Sequence, residues 1–202
     1  KATAQQSIAM GSNSLANATA ALAIGNKAQA LSQSSVALGN NALATGTTTP
    51  GVAIGSNVTA SAGAVSIGYN STADSFSYAI GSDNNANGGI AIGNSSYATN
   101  TGVAIGSGAY ATDSAVALNG HAENGSFATT WGEAYGYRST AIGNNRAYGN
   151  YSVALGYNCS TYGAHSIAIG NFSSANGNNS LAFGFYANAS GNIRLQWMGI
   201  IR

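Results

Sequence analysis

A five-residue pattern of small and hydrophobic positions recurs through most of the chain: small, aliphatic, small, aliphatic, glycine. Typical copies are Ser7-Ile8-Ala9-Met10-Gly11 near the start and Ser180-Leu181-Ala182-Phe183-Gly184 near the end. Fourteen copies close at positions 11, 25, 39, 55, 68, 81, 93, 106, 119, 132, 143, 156, 170 and 184, and only Asn119 replaces the glycine. The spacing is mostly 13 or 14 residues, with extremes of 11 and 16. A repeat this short cannot hold a helical hairpin, and it predicts one coil of a β-solenoid per copy.

Residues 102–113 illustrate the predicted coil. Val103 and Ile105 are two residues apart and therefore share one face of a strand, while Ala104 takes the opposite face. Glycines around Ser107 allow a tight bend, and a second short strand follows. In this interpretation Val103 and Ile105 point inward, towards an alanine five residues after the closing position of each coil. That alanine column comprises Ala16, Ala30, Ala44, Ala60, Ala73, Ala86, Ala98, Ala111, Ala175 and Ala189. The predicted fold class is all-β: a short-period parallel β-solenoid, or β-roll, of about 14 coils.

The outward face of the first strand is then a smooth strip of small residues. Two buried aliphatic side chains per coil stabilise less than ordering the coil backbone costs. A coil this thin needs further burial, and the strip predicts packing against other copies of the chain. The predicted interface residues are Ala79, Ala91, Ala104 and Ala117. The sequence predicts a homo-oligomer, whose copy number does not follow from these residues.

The alanine column, counted in this way, is interrupted for four coils by Asn124, Tyr137, Tyr148 and Thr161. Aromatic residues and arginine accumulate there, and both are enriched where proteins bind ligands. The predicted ligand-binding residues are Tyr135, Tyr137, Arg138, Arg146 and Tyr148. The alternative is that the roll widens at these coils and fills itself with larger side chains, with Trp131 in place of a core aliphatic.

Composition narrows the functional classes. Charged residues make up 5% of the chain and the net charge is +1, which argues against nucleic acid as a partner. No apolar run reaches the length of a membrane span, so this segment is not expected to insert into a membrane. His121 and His165 have no further ligands at metal spacing, and we expect no metal and no cofactor. The single Cys159 is predicted to be a buried, inert thiol.

Catalysis requires paired titratable groups, and acids are scarce. Asp74, Asp83 and Asp113 fall in predicted turns, where aspartate is common for structural reasons. Glu123 and Glu133 are the only candidates for a polysaccharide-cleaving pair. We therefore expect that the chain is not an enzyme.

The phrase S-[IV]-A-[IL]-G-x-x-[AS]-x-A, repeated from residue 7 to about 189, resembles the head repeats of trimeric autotransporter adhesins, the YadA-like head. The resemblance implies a left-handed parallel β-roll with three chains around one axis, and therefore a homotrimer. It also implies an extracellular position on the bacterial cell surface. The implied partner is a host extracellular-matrix protein, a cell-surface receptor or a glycan.

The end of the chain departs from the family pattern. Residues 1–189 are expected to form the β-roll head, and residues 190–202 a terminal strand or a capping or connecting segment. Alternation of Ile193, Leu195 and Trp197 predicts a last strand, without the charged neck and heptads that follow such heads. Similar repeats occur in phage tail fibres, so a virion fibre that recognises a host receptor or glycan is the alternative function.

Overall fold

The computed structural model describes residues 1–46, 49–192 and 195–198, the last four as backbone only. Within these residues there is no helix, and every paired strand is parallel to its neighbours. Contacts divide the chain into two compact units, Lys1–Asn100 with Ile105–Gly108, and Thr101–Ala104 with Ala109–Arg202. The predicted all-β parallel solenoid is therefore confirmed.

Unit 1 has two parallel sheets, one of odd-numbered and one of even-numbered strands. The odd sheet contains, in spatial order, β1 (Ile8–Met10), β3 (Leu22–Ile24), β5 (Val36–Leu38), β7 (Val52–Ser56), β9 (Val65–Tyr69), β11 (Tyr78–Ser82) and β13 (Ile90–Asn94). The even sheet contains β2 (Leu15–Ala16), β4 (Gln29–Ala30), β6 (Leu43–Ala44), β8 (Thr59–Ala60), β10 (Thr72–Asp74), β12 (Asn85–Asn87) and β14 (Tyr97–Thr99). One further strand, β15 (Val103–Ile105), contains residues of both units.

Unit 2 repeats this arrangement. Its odd sheet contains β17 (Val116–Leu118), β19 (Phe127–Thr129), β21 (Thr140–Ile142), β23 (Val153–Tyr157), β25 (Ile167–Asn171), β27 (Leu181–Phe185) and β29 (Leu195–Met198). Its even sheet contains β16 (Tyr110–Ala111), β18 (His121–Ala122), β20 (Glu133–Ala134), β22 (Arg146–Ala147), β24 (Ser160–Thr161), β26 (Ser174–Ala175) and β28 (Asn188–Ala189). One odd and one even strand make a coil, and the described chain has about 14 coils.

The predicted inward and outward faces of the odd strands are reversed in the structure. Ala104 is fully buried inside the coil, whereas Ile105 is 40% exposed and Val103 is half-buried. The prediction that Val103 and Ile105 fill the interior is therefore wrong. The predicted outward strip is wrong for the same reason, because all four of its alanines are fully buried within one chain: Ala79, Ala91, Ala104 and Ala117.

The interior consists of small side chains from both sheets. Central alanines of the odd strands face alanines of the even strands, and serines at the strand starts fill the corners. Among the described residues, the largest fully buried side chain is Val58. At the central strand positions the two sheets lie too close together for a large aliphatic side chain, and alanine, serine or threonine fills them. Val58 and Asn84 are buried at the corners, directly before even strands. The aliphatic side chains are consequently placed outside.

The glycine that closes each odd strand is required by the stacking of coils. Gly68 has φ +132°, and a Cβ added to it would lie 1.8 Å from the carbonyl oxygen of Gly81 in the next coil. Gly156 repeats this in unit 2, 1.8 Å from the carbonyl oxygen of Gly170. Any side chain here would collide with the neighbouring backbone, which explains why the repeat ends in glycine.

The alanine column is not interrupted where the sequence suggested. Strand pairing aligns Ala111, Ala122, Ala134 and Ala147, and only Thr161 replaces alanine, still fully buried. Counting from the closing position failed because the turn between the two strands shortens in these coils, from four residues between Ile105 and Tyr110 to two between Leu118 and His121. The shorter turns leave the interior register unchanged.

Trp131 also differs from its predicted place. It lies in the turn after β19, with φ 65° and 74% exposure, so it does not substitute for a core aliphatic. In that coil the two positions usually held by aliphatic residues are occupied by Phe127 and Thr129, which align with Thr140 and Ile142. Cys159 is buried as predicted, and its sulfur lies 3.2 Å from the carbonyl oxygen of Gly170.

The segment 190–202 contains the terminal strand β29, whose Leu195 pairs with Leu181 of β27. Ile193, which contributed to that prediction, lies outside the described residues. The division into a head at 1–189 and a capping or connecting segment at 190–202 stays a prediction.

The narrow interior predicts different tolerance at adjacent positions of β12. Ala86→Leu forces a large side chain into the filled coil, and we expect it to lower stability by about 1–3 kcal/mol or more. Asn85→Leu places the same side chain on the exposed face and should change stability by less than about 0.5 kcal/mol. Denaturant unfolding followed by circular dichroism measures both. Equal losses for the two variants would contradict the described orientation of the even strands.

Candidate functional site

The outer face of the even sheet in unit 2 carries a column of large polar side chains. Strand pairing places Tyr110, His121, Glu133 and Arg146 in register, each immediately before a buried alanine. Because alternate strand residues point to opposite sides, the buried alanine fixes these four side chains outward. In unit 1 the corresponding positions are mostly smaller, such as Thr59.

Five rings lie one above another along this face, and we call them the aromatic ladder: Tyr110, His121, Tyr135, Tyr148 and Tyr162. Successive ring centroids are 4.3, 4.7, 5.5 and 5.1 Å apart. Three of the four steps are stacked, and the step from His121 to Tyr135 is tilted by 49°. Ring separations of this size are favourable for aromatic pairs. The coil repeat therefore holds the rings in a rigid row.

A histidine–glutamate hydrogen bond and an arginine–glutamate ion pair lie along the ladder. His121 Nε2 lies 2.8 Å from Glu123 Oε1, and Arg146 Nε donates to Glu133 Oε2 at 3.0 Å. The hydrogen bond and the charge of Glu133 raise the pKa of Arg146 above its ordinary value. Both acids that could have formed a polysaccharide-cleaving pair thus have side-chain partners, Glu123 the imidazole of His121 and Glu133 the guanidinium of Arg146.

The tyrosines in the middle of the ladder are harder to ionise than free tyrosine. Partial burial is the main cause of the raised pKa of Tyr135 and of Tyr148, and the negative charge of Glu133 is the second. Arg146 opposes this shift at both rings. The hydroxyl groups therefore remain protonated at physiological pH and can both donate and accept hydrogen bonds.

Stacking determines which part of each ring a ligand can reach. Inside the ladder, the faces of Tyr135 and Tyr148 are turned towards neighbouring rings, so their edges and hydroxyl groups remain for contact. Such a surface offers rigid contact area with polar groups along its rim, as binding surfaces rich in tyrosine do.

The predicted ligand-binding residues are divided between two neighbouring places. Tyr135, Arg146 and Tyr148 lie together on the outer face of the even sheet. Tyr137 and Arg138 lie in the turn that follows β20, where the Arg138 guanidinium carbon is 5.3 Å from the centre of the Tyr137 ring. Binding of a ligand by these five residues stays a prediction.

Sequence reasoning did not include three members of the ladder among the predicted ligand-binding residues: Tyr110, His121 and Tyr162. Tyr110 was correctly placed outward but was treated as part of a generic coil, and His121 was considered only as a metal ligand. Counting one residue back from each buried alanine, instead of forward from each closing glycine, would have aligned them with Glu133 and Arg146.

The outer face of the odd sheet has a different character. It carries large apolar side chains at 36% exposure or more within one chain, among them Ile24, Ile80, Ile105, Leu118, Ile142, Leu155, Ile167 and Phe183. In unit 2 the two outer faces therefore differ, with mostly apolar side chains on the odd sheet and polar or aromatic side chains on the even sheet. The even sheet of unit 1 also carries Leu15 and Leu43.

Two searches within the described residues gave negative results. In this part of the chain, no three His, Cys, Asp or Glu side chains come together as a metal site. The same residues include no helix with the length and hydrophobicity of a membrane span.

The repeating coil and its small-residue interior define a parallel β-solenoid of a repeat family. The sequence model described as YadA head domain repeat (2 copies) matches residues 2–28, 30–57, 134–158, 162–187 and 175–192, together more than half of the chain. The chain belongs to the YadA head repeat family.

Comparison with solved structures found similarity to the collagen-binding domain of the Yersinia adhesin YadA. The identity is 18%, with 98% of this chain and 84% of that chain covered and a TM-score of 0.19. A search of curated proteins gave no match. The family assignment depends on the repeat matches.

The electrostatics of the ladder predict opposite effects for two charge-removing variants. Glu133→Gln removes a negative charge and should lower the pKa of Tyr135 and Tyr148, whereas Arg146→Gln should raise it further. Alkaline titration followed by NMR of the tyrosine ring carbons measures both. Because the folded-state pKa is raised, the stability contributed by these rings is present below the unfolded pKa and is lost as pH rises through the folded one. Shifts of the same sign in the two variants would contradict the described geometry.

Proposed function

We propose that this chain is the non-enzymatic adhesive head of a trimeric bacterial surface fibre, which attaches the cell to host matrix or to other cells. Membership of the YadA head repeat family is the observation that carries the proposal. The family match favours this function over the phage tail-fibre alternative. The proposed location is extracellular, at the bacterial surface.

The aliphatic outer face of the odd sheet supports assembly into a trimer. One chain leaves Ile80 and Ile142 more than one third exposed, and similar side chains repeat along the face. Burying an aliphatic side chain contributes roughly 1.5–3 kcal/mol, and exposed apolar surfaces of this kind mark interaction sites. A thin interior of alanine and serine buries little apolar surface and contributes little to the stability of a single chain. Packing against two further copies is therefore the proposed source of stability. The interface is thus assigned to the aliphatic side chains instead of the alanines.

The aromatic ladder is the proposed adhesive surface. It lies on the sheet opposite the proposed trimer interface, and its rings are held in place before any ligand arrives. Little side-chain entropy is then lost on binding. Three copies multiply the contacts, so that modest single-site affinity gives strong attachment.

Assembly is tested by placing a charge on each outer face. Ile80→Asp combined with Ile142→Asp should prevent trimer formation, because an unpaired carboxylate is costly in an apolar interface. Asn85→Asp adds the same charge to the even sheet and should leave the trimer intact. Light scattering during gel filtration should give three times the chain mass of 20.0 kDa for the wild type. A folded wild-type monomer, or a trimer that survives both isoleucine changes, would contradict the proposed interface.

Adhesion is tested by truncating the middle of the ladder. Tyr135→Ala with Tyr148→Ala should weaken binding of the purified trimer to cultured epithelial cells and their deposited matrix by about tenfold or more, as loss of aromatic anchors does at interfaces. Phe76→Ala removes a 68% exposed aromatic side chain from a turn of unit 1 and serves as the matched control. Unchanged binding by an intact trimer of the double variant would place the adhesive surface elsewhere.

A further inference from the structure

A groove opens at the corner of unit 2 that follows the even strands. Three successive turns form it, and they are stacked by backbone hydrogen bonds from Gly125 N to Asp113 O at 2.8 Å and from Arg138 N to Asn124 O at 3.1 Å. The groove has a volume of about 450 Å³. Its lining residues are Asp113, Ser114, Asn124, Gly125, Tyr137 and Arg138. This volume lies within the range of small-molecule sites, roughly 300–1,000 Å³.

The groove exists because the middle turn has no side chain at Gly125. This residue has φ +69°, and a Cβ added to it would meet its nearest atoms, Arg138 Cγ and Asp113 O, only at 3.8 and 4.0 Å. A comparable turn of unit 1 is closed, because a Cβ at Gly63 would lie 2.7 Å from the ring of Phe76. A similar opening recurs at Gly88 of unit 1, where an added Cβ would meet only Asn100 N at 3.8 Å. What distinguishes the unit 2 notch is its lining, which includes Tyr137 and Arg138.

Arg138 is held at one side of the groove with its donors available. Its φ of 52° is unusual for a large residue and is maintained by the stacked turns. The guanidinium group lies over the ring of Tyr137, which orients it. In the described part of the chain that guanidinium makes no hydrogen bond or ion pair, in contrast to Arg146, which is paired with Glu133.

The remaining lining is polar and carries the opposite charge. Asp113 is one of the lining residues, and its negative charge disfavours an anion beside it. Asn124 donates its side-chain amide N–H to the carbonyl oxygen of Tyr135 at 3.2 Å. That bond does not use the side-chain oxygen of Asn124, which can accept a hydrogen bond from a ligand. A fitting ligand therefore has a carboxylate at one end and hydroxyl groups at the other.

We propose that this groove binds one acidic sugar residue, a sialic acid or a hexuronic acid, with its carboxylate on Arg138 and its hydroxyl groups towards Asp113 and Asn124. A planar guanidinium matches a carboxylate with two parallel hydrogen bonds. An acidic peptide side chain offers the carboxylate without the hydroxyl groups and fits less of the lining. An acidic sugar is thus a specific ligand class for the proposed adhesive head. The role of this site at the cell surface rests on the proposed adhesive function, whereas binding of the sugar does not.

The test is binding of monosaccharide glycosides to the intact wild-type chain, measured by saturation-transfer NMR and calorimetry. The probes are the methyl glycosides of N-acetylneuraminic acid, glucuronic acid and glucose. One or both acids should bind, and the neutral glucoside should not. Which acid binds identifies the source of the carboxylate.

Three variants separate recognition from general charge. Arg138→Lys should weaken binding of the acid about tenfold, because a point charge replaces the two-pronged donor. Gly125→Asn should abolish binding by filling the notch, since asparagine tolerates the left-handed backbone. Lys27→Gln also removes one positive charge from an exposed turn with positive φ and should leave binding unchanged.

Binding of the neutral glucoside as tightly as the acids would overturn the inference, and so would unchanged binding of the acids to folded Arg138→Gln. Displacement of the acids by an equal concentration of oligoglutamate would also overturn it, in favour of a peptide site. A trimer that adheres to cells but binds neither acid refutes this inference alone. A trimer that binds an acid but does not adhere refutes the adhesive function alone.

Discussion

The distance between the two sheets of each coil is the constraint on which the rest of the structure depends. Strands of two to five residues, joined by tight turns, bring the two backbones so close that only alanine, serine and similarly small side chains fit between them. Everything larger is displaced to the outside. The surface of the chain is therefore unusually apolar on one sheet, and this follows from the narrow interior.

The close stacking of successive coils explains the glycine that closes every repeat but the one ending in Asn119. Where a coil turns after its odd strand, the backbone of the next coil lies so close that a Cβ at Gly68 would overlap a carbonyl oxygen. Small residues inside thus reflect the spacing between the two sheets, and glycine at this corner reflects the spacing between successive coils. They account for the regularity of the sequence without any reference to a ligand.

Sequence periodicity was sufficient to predict the class of fold, the parallel stacking and the two-strand coil. It was not sufficient to decide which face of the odd strand points inward, because alternation is symmetric: Val103 and Ile105 share one face and Ala104 the other in either case. General experience that aliphatic residues are buried led to the wrong choice. The deciding quantity is the thickness of the coil, which depends on contacts between strands and not on the pattern within one strand.

The candidate site illustrates a second limit of prediction. Arg146 and Tyr148 were identified from their residue types, but their partners could be found only through the strand register, which shifts when a turn loses one or two residues. Turn length can vary without disturbing the interior, because the buried alanines stay in register between coils whose turns differ in length. Ala122 and Ala134 are an example. Outward residues at the shortened turns are likewise free to differ from coil to coil. A fold whose interior is uniform can therefore place its distinctive chemistry only on outer faces and corners, and in unit 2 the aromatic ladder and the Arg138 groove occupy those two places.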